Sequence, residues 1–326
     1  MRYYFSKLND KDRQIYKQIY YGIENLEKRI KLNTTVENLR KIFDMVVNDN
    51  PKLFYINPFT YSYYKYSTDN LELEPIYLYS KQEIENIRLK INSVLKTFEE
   101  NIKKIESKLE RERYIHKILM SNIKYKYGYQ EDDIECHTIV GSFVHREAVC
   151  DGISRAFKYL CDIARINSTV VVGNSWNEYE EKQCHAWNIV KIDGNWYHID
   201  ATWNLNLSQR FKYIRYDYFN LTQKDILRDH RDFKIIEDCN ALKNNFFYEN
   251  HCIIYNKNDL ESFLSEKIKN IKSKNLSKII YFKLEFDMEL DEILKCCRKV
   301  FSKLCYFGIR YTIESNSTQN VYLVRY

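Results

Sequence analysis

Apolar positions in this chain change their period several times, and each change marks an element. Between Asn9 and Leu32, Ile15, Ile19, Ile23 and Leu26 recur three or four residues apart, which predicts a helix capped by Asn9 or Asp10. Thr35 opens a second helix through Val47. Asn50-Pro51 stops it, because the residue before a proline is pushed out of helical geometry. Residues 53–65 and 71–79 are β-like and predict a hairpin or small sheet. A long amphipathic helix beginning at Ser80 or Gln82 carries Ile84, Ile87, Ile91, Leu95, Phe98, Ile102, Ile105 and Leu109 along one stripe, which suits packing on a core or a coiled-coil hairpin. Another helix is predicted over 114–123.

The middle of the chain alternates differently. Ile153, Phe157, Leu160 and Ala164, with Ala156, put residues 151–165 on a helix, so Cys150 stands at or just before its start. Residues 186–192 and 195–202 are β-rich runs around Asp193-Gly194, a two-residue hairpin signal. In that register Ile192 faces Asn195. His185 and Asp200 then become diagonal neighbours on one face, with Cβ atoms roughly 7 Å apart. Beyond Arg231 the pattern predicts a strand over 246–255, a helix over 259–271, a strand over 278–286, a helix over 287–304, and a hairpin from 306–314 and 320–326. That is a small α+β unit without a catalytic constellation of its own.

Cys150, His185 and Asp200 are the residue types a thiol nucleophile needs. The sulfur requires a base, and the base requires a group that fixes its tautomer. A cysteine at a helix N-terminus meets unpaired N–H groups and a partial positive charge, which favour the thiolate. Its own N–H is one candidate oxyanion donor. Gly152 and Ser154 are expected to keep the approach to the sulfur open. Trp176, His137 and Ser142 are candidates for a second oxyanion donor, with Trp187 as a cleft residue. His198 shares the strand face of Asp200, as a second-shell donor or a structural histidine. Cys184, turned away from His185 by strand alternation, is expected in the core.

Residues from about Glu112 to Arg231 resemble the transglutaminase-like superfamily, in its bacterial branch with a single such core. The resemblance rests on Gly141-Ser142-Phe143-Val144, AVCDGISRAFKYL, CHAWNIVKIDGNWYHIDATW and Tyr218-Phe219-Asn220-Leu221. It implies Cys150 as nucleophile, His185 as base and Asp200 as orienting carboxylate. It also implies an α+β, papain-like core, with the cysteine helix packed on an antiparallel sheet that bears the other two. Val140, where members often carry an aromatic residue, and Asn204, where an acidic one is common, depart from the pattern and are expected to line the approach. The organisation expected is a mainly helical region over 1–110, a transglutaminase-like core over 111–235 and a small α+β domain over 240–326.

Composition narrows the function. The chain of 326 residues is 44% hydrophobic and 29% charged, with 7 Gly and 3 Pro, a globular balance with little linker. Its net charge of +6 is spread out; Lys103-Lys104 and the lysines over 267–274 lie among Glu, Ser and Asn. These read as solvated helix faces, so no nucleic-acid partner is expected. No apolar stretch reaches signal-peptide or membrane-spanning length, so the expectation is a cytoplasmic protein with no membrane partner. The 9 cysteines show no CxxC pair, which points to reduced thiols rather than zinc. The three Glu over 177–181 read as a solvated loop, and no cofactor or metal is expected. The reaction expected is acyl transfer on a peptide or protein substrate: hydrolysis by a cysteine peptidase or amidase. The alternatives are a protein-glutamine transglutaminase or deamidase, and a non-enzymatic peptide-binding scaffold. The C-terminal unit is expected to bind an unknown protein or ligand.

Overall fold

The N-terminal elements form where apolar spacing and end caps agree. The computed structural model describes residues 2–130, 132–176, 181–274, 278–304 and 310–326. After α1 (Tyr3–Lys7), α2 (Asp10–Glu24) starts where the Asn9 side chain accepts from the Asp12 N–H. The predicted helix to Leu32 is cut short. Leu26 adopts left-handed backbone (φ 57°), and Ile30–Leu32 becomes strand β1. Thr35 caps α3 (Val36–Asp49). Strands β2 (Ile56–Lys65) and β3 (Leu71–Tyr77) pair antiparallel in a sheet of order β1-β3-β2. Ser80 and Glu83 form a reciprocal capping box that starts α4 (Lys81–Ile102). The single stripe from Ile84 to Leu109 is divided between α4 and α5 (Lys108–Asn122), the latter capped by Ser107.

The next segment carries the site. Strand β4 (Lys124–Tyr125) pairs in parallel with β5 (Glu147–Ala148), and a 3₁₀ turn at Ile134–His137 and a π-helical turn at Gly141–His145 lie between them. Then come α6 (Cys150–Ile163), β6 (Asn167–Trp176), β7 (Lys182–Ile192), β8 (Asn195–Ile199), α7 (Ala201–Phe211), α8 (Gln223–Ile226) and β9 (His230–Arg231). The antiparallel sheet has the order β8-β7-β6-β9. Asp193 and Gly194, with φ of 48° and 90°, make the two-residue turn, and Ile192 faces Asn195 as the sequence predicts. The β run predicted to Thr202 ends at Ile199, because Asp200 caps α7.

The C-terminal elements are α9 (Phe246–Glu249), β10 (Ile253–Ile254), α10 (Lys257–Lys274), β11 (Ile279–Leu284), α11 (Leu290–Lys303), β12 (Thr312–Asn316) and β13 (Val321–Arg325), with sheet order β10-β11-β13-β12. The strand predicted over 246–255 is corrected. The Asn245 side chain accepts from the N–H groups of Phe247 and Tyr248 and starts a helical turn, so only Ile253 and Ile254 pair with β11. Residues 306–309 of the predicted hairpin, and residues 177–180 of the predicted acidic loop, lie outside the described residues.

The protein is α+β. One apolar cluster runs without a break from Ile15, Phe43 and Leu95 through Ile115 and Phe157 to Val190 and Tyr197. A second, on the other side of the central sheet, gathers Val171, Trp187, Ile189 and Trp196 around Tyr218 and Leu221. The C-terminal elements bury their own cluster, including Phe247, Leu264, Phe282 and Leu323. Among the described residues, no helix is long and apolar enough to cross a membrane.

Candidate active site

Helix α6 is clamped to the sheet by polar contacts that fix where its first residue sits. The buried Ser154 hydroxyl donates to the Ala186 carbonyl at 2.9 Å. The Asn188 amide donates to the carbonyls of Ser154 at 3.0 Å and Thr169 at 3.1 Å, tying α6, β7 and β6 together. Gly152 is equally constrained: a Cβ there would lie 2.3 Å from the Cys136 carbonyl oxygen. Gly152 and Ser154 therefore serve close packing beneath the helix and do not keep the approach to the sulfur open, as the sequence suggested. Cys150, half-buried, is the first residue of α6.

Asp200 does two jobs with its two oxygens. Oδ1 accepts the N–H groups of Thr202 at 2.8 Å and Trp203 at 3.0 Å, capping α7. Oδ2 accepts from His185 Nε2 at 2.7 Å and His230 Nε2 at 3.1 Å. Burial alone would raise this carboxyl, but the two imidazoles outweigh it and hold Asp200 well below the usual carboxylate range. Burial pushes His185 down, yet the Asp200 carboxylate and the bond to Cys150 outweigh burial and bring it up to about 9. Since Nε2 is committed to Asp200, Nδ1 is the nitrogen left for the sulfur.

His230 was not singled out from the sequence. It lies between two carboxylates, with Nε2 on Asp200 and Nδ1 on Asp229 Oδ1 at 2.6 Å. The other oxygen of Asp229 accepts from the Tyr218 hydroxyl at 2.8 Å and from the Gln319 amide at 3.0 Å. The Asp229-His230 doublet sits in a charged run, Arg228 to Asp232, that lacks apolar periodicity. No sequence signal marked it as buried.

The other sequence candidates fall in different places. His137 Nδ1 pairs with Asp151 Oδ2 at 2.9 Å, beside the cysteine, under edge contacts from Phe59 and Tyr129. Ser142 is buried and its hydroxyl donates to the Gly152 carbonyl at 2.9 Å. Trp176 ends β6, three residues beyond Gly173, the partner of His185, with Lys182 and Arg231 over its ring. Trp187 stacks near His185 and donates to His198 Nδ1 at 3.1 Å. His198 Nε2 in turn donates to Gln223 at 2.9 Å, so His198 is neutral, and burial pushes it down to about 4. It makes no bond to Asp200. Cys184 is exposed rather than in the core: alternation does turn it away from His185, but burial along β7 begins only at His185. Val140 and Asn204 are buried at 1% and 0% exposure and do not line the approach; Asn204 instead accepts the Tyr218 N–H.

His185, Asp200 and His230 place three ligand-type atoms within 4.8 Å of one another. Holding an ion there would require both imidazole–carboxylate hydrogen bonds to break and their protons to leave. The arrangement is better suited to acid–base work on a thiol than to coordination.

Residues 96–201 match the family model of the transglutaminase-like superfamily. This segment contains Cys150, His185 and Asp200. The chain is similar to kyphoscoliosis peptidase of Mus musculus, 24% identical over 181 residues, covering 49% of this chain and 27% of that protein. It is similar to the Homo sapiens protein of the same name, 25% identical over 174 residues, covering 47% of this chain and 26% of that one. It thus spans about a quarter of the length of these relatives. Among solved structures, a TGase overlays with TM-score 0.32 and 14% identity, covering 53% of this chain and 50% of that one. A candidate cysteine protease from Cytophaga hutchinsonii overlays with TM-score 0.29 and 15% identity, covering 44% and 61%.

Proposed function

We propose that the protein is a thiol acyl-transfer enzyme that hydrolyses a peptide or related amide, with Cys150 as nucleophile, His185 as acid and base, and Asp200 as the carboxylate that orients His185. The observation that carries this reading is the pair formed by His185 on the interior strand β7 and Cys150 at the start of α6. His185 is raised to about 9 by a buried, doubly anchored carboxylate, and the Cys150 sulfur is its second partner. At neutral pH that imidazole carries a proton, which it can hand to a leaving amine.

The Cys150 thiolate attacks the amide carbonyl carbon, and the carbonyl π pair moves to oxygen. The Cys150 N–H, at the unpaired start of α6, faces that oxyanion. As the tetrahedral centre collapses, the C–N bond breaks and His185 gives its proton to the departing amine. Water then attacks the thioester with His185 taking its proton. The C–S bond breaks, acid is released, and the thiolate–imidazolium pair is restored. Asp200 stays ionised throughout and holds the ring's orientation. The names of the relatives, which include a peptidase, favour a peptide substrate.

The test is acyl-enzyme trapping with a library of activated peptide and glutamine amides, followed by mass measurement with and without a primary amine. A Cys150-linked acyl adduct that decays to free acid supports hydrolysis. An adduct that transfers to the amine in preference to water contradicts it in favour of transglutamination. Failure of every amide to label Cys150, with the protein folded, contradicts the enzyme reading and favours a binding role.

A further inference from the structure

The hydrogen bonds around Asp200 do not stop at His185. Every oxygen that His230 faces is a carboxylate oxygen, on Asp200 to one side and Asp229 to the other. Carboxylates only accept, so both ring nitrogens must donate and the ring is an imidazolium. All three residues are at most 1% exposed, and a buried charge of this kind persists only when it is paired. The pairing continues outward through Gln319, which donates to Asp229 Oδ2 at 3.0 Å and to the Asp225 carbonyl at 3.1 Å. Gln319 lies between β12 and β13, in the C-terminal elements. Asp229, His230 and Gln319 all lie beyond the matched segment 96–201.

We infer that His230, braced by Asp229 and through it by Gln319, is a positioning residue for the thiol site, so that the C-terminal elements complete the support of the Cys150–His185–Asp200 triad. The inference rests on the triad reading given above. His230 fixes the free oxygen of Asp200 in the direction of His185, while the α7 cap fixes the other. Its positive charge offsets one of the two buried carboxylates. The pair Asp229–His230 is therefore close to neutral, and the negative charge of Asp200 is left to support the imidazolium of His185. The titratable groups that face His230 are Asp229 beside it, Asp200 at the start of α7, His185 on β7, His198 on β8 and Tyr218 in the loop before α8. His198 is neutral through its bonds to Trp187 and Gln223. Tyr218, whose hydroxyl donates to Asp229, is held protonated by burial.

The experiment measures the iodoacetamide labelling rate of Cys150 in the full chain at pH 6 and pH 9, for wild type, His185→Ala, His230→Gln, Asp229→Asn and Gln319→Ala. A positioning role predicts that His230→Gln lowers the pH 6 rate about tenfold. At pH 9, where an ordinary thiol with pKa ~8.5 is largely ionised, the change should stay within about twofold. Asp229→Asn, which lets His230 become neutral while keeping its bond to Asp200, falls between His230→Gln and wild type. Gln319→Ala shows a smaller loss in the same direction. A folded His230→Gln that matches wild type at pH 6 overturns the inference while leaving the triad intact. If His230→Gln does not fold, the isosteric Asp229→Asn decides in the same way. Wild-type labelling at pH 6 that is indifferent to His185→Ala overturns the triad reading itself, and with it this one.

Discussion

The two ends of the site are built to opposite rules. At the carboxylate end, Asp200, His230 and Asp229 are sealed from water, and each oxygen and ring nitrogen among them has a protein partner. At the sulfur end, Cys150 is half-buried, the His137–Asp151 pair retains 14% and 16% exposure, and Tyr129 and Cys184 are open to solvent. A sealed, fully bonded end holds charges in a low dielectric, where they act strongly and need not reorganise. An open end admits a carbonyl and water. The contrast shows how His185 is raised from its buried, carboxylate side while its Cys150 partner stays half-exposed.

The largest effect should come from unbalancing the sealed end. Asp200→Asn removes the charge that raises His185, and turnover should fall on the order of 10²–10⁴-fold. In wild type, the alkaline limb of the rate profile should follow loss of the His185 proton near 9. The sign is that of a raised base: its support is complete below the unfolded value near ~6.5 and disappears as pH rises through about 9. A rate profile of Asp200→Asn whose alkaline limb does not move down would contradict this.

Next is the seam between α8 and β11, where the buried Lys283 side chain pairs with Asp225, whose carbonyl Gln319 also holds. Lys283→Met leaves that buried carboxylate with the Thr222 hydroxyl and the distant Arg228, costing ~3–5 kcal/mol. Urea unfolding reads this loss, and a midpoint equal to wild type would show the seam is not buried in solution. At the open end effects shrink. His137→Gln alters a part-exposed hydrogen bond to Asp151 worth about 1 kcal/mol, and should change KM by no more than about fivefold with kcat nearly constant. A kcat collapse would move His137 into the chemistry. Cys184→Ser should leave turnover unchanged, because that side chain faces away from His185 into solvent. A loss above about twofold would bring Cys184 into the cleft.

What the sequence revealed follows the same division. Local signals carried the hairpin register, the helix after Cys150, the Thr35 and Ser80 caps and most C-terminal elements, because each depends on neighbours within a few residues. Asp200 was recognised as a carboxylate but not as the cap of α7, since strand-like Tyr197 and Ile199 run directly into Asp200-Ala201-Thr202. The sealing residues were not legible. Asp229-His230 looks like solvated loop, and its burial depends on β9 pairing with β6 and on Gln319, some ninety positions away in the chain. Leu26 and Asn245 each changed an element by one local backbone or side-chain choice that apolar spacing does not record.

The central proposal is that Cys150 is a nucleophile activated by His185. Brief substoichiometric iodoacetamide treatment at pH 6, read by intact-protein mass and peptide mapping, tests it most directly in wild type, Cys150→Ala and His185→Ala. The account predicts one fast label in wild type, located on Cys150 and lost in both variants, because ordinary thiols with pKa ~8.5 react slowly there. Slow labelling scattered over several cysteines, alike in all three proteins, would contradict it.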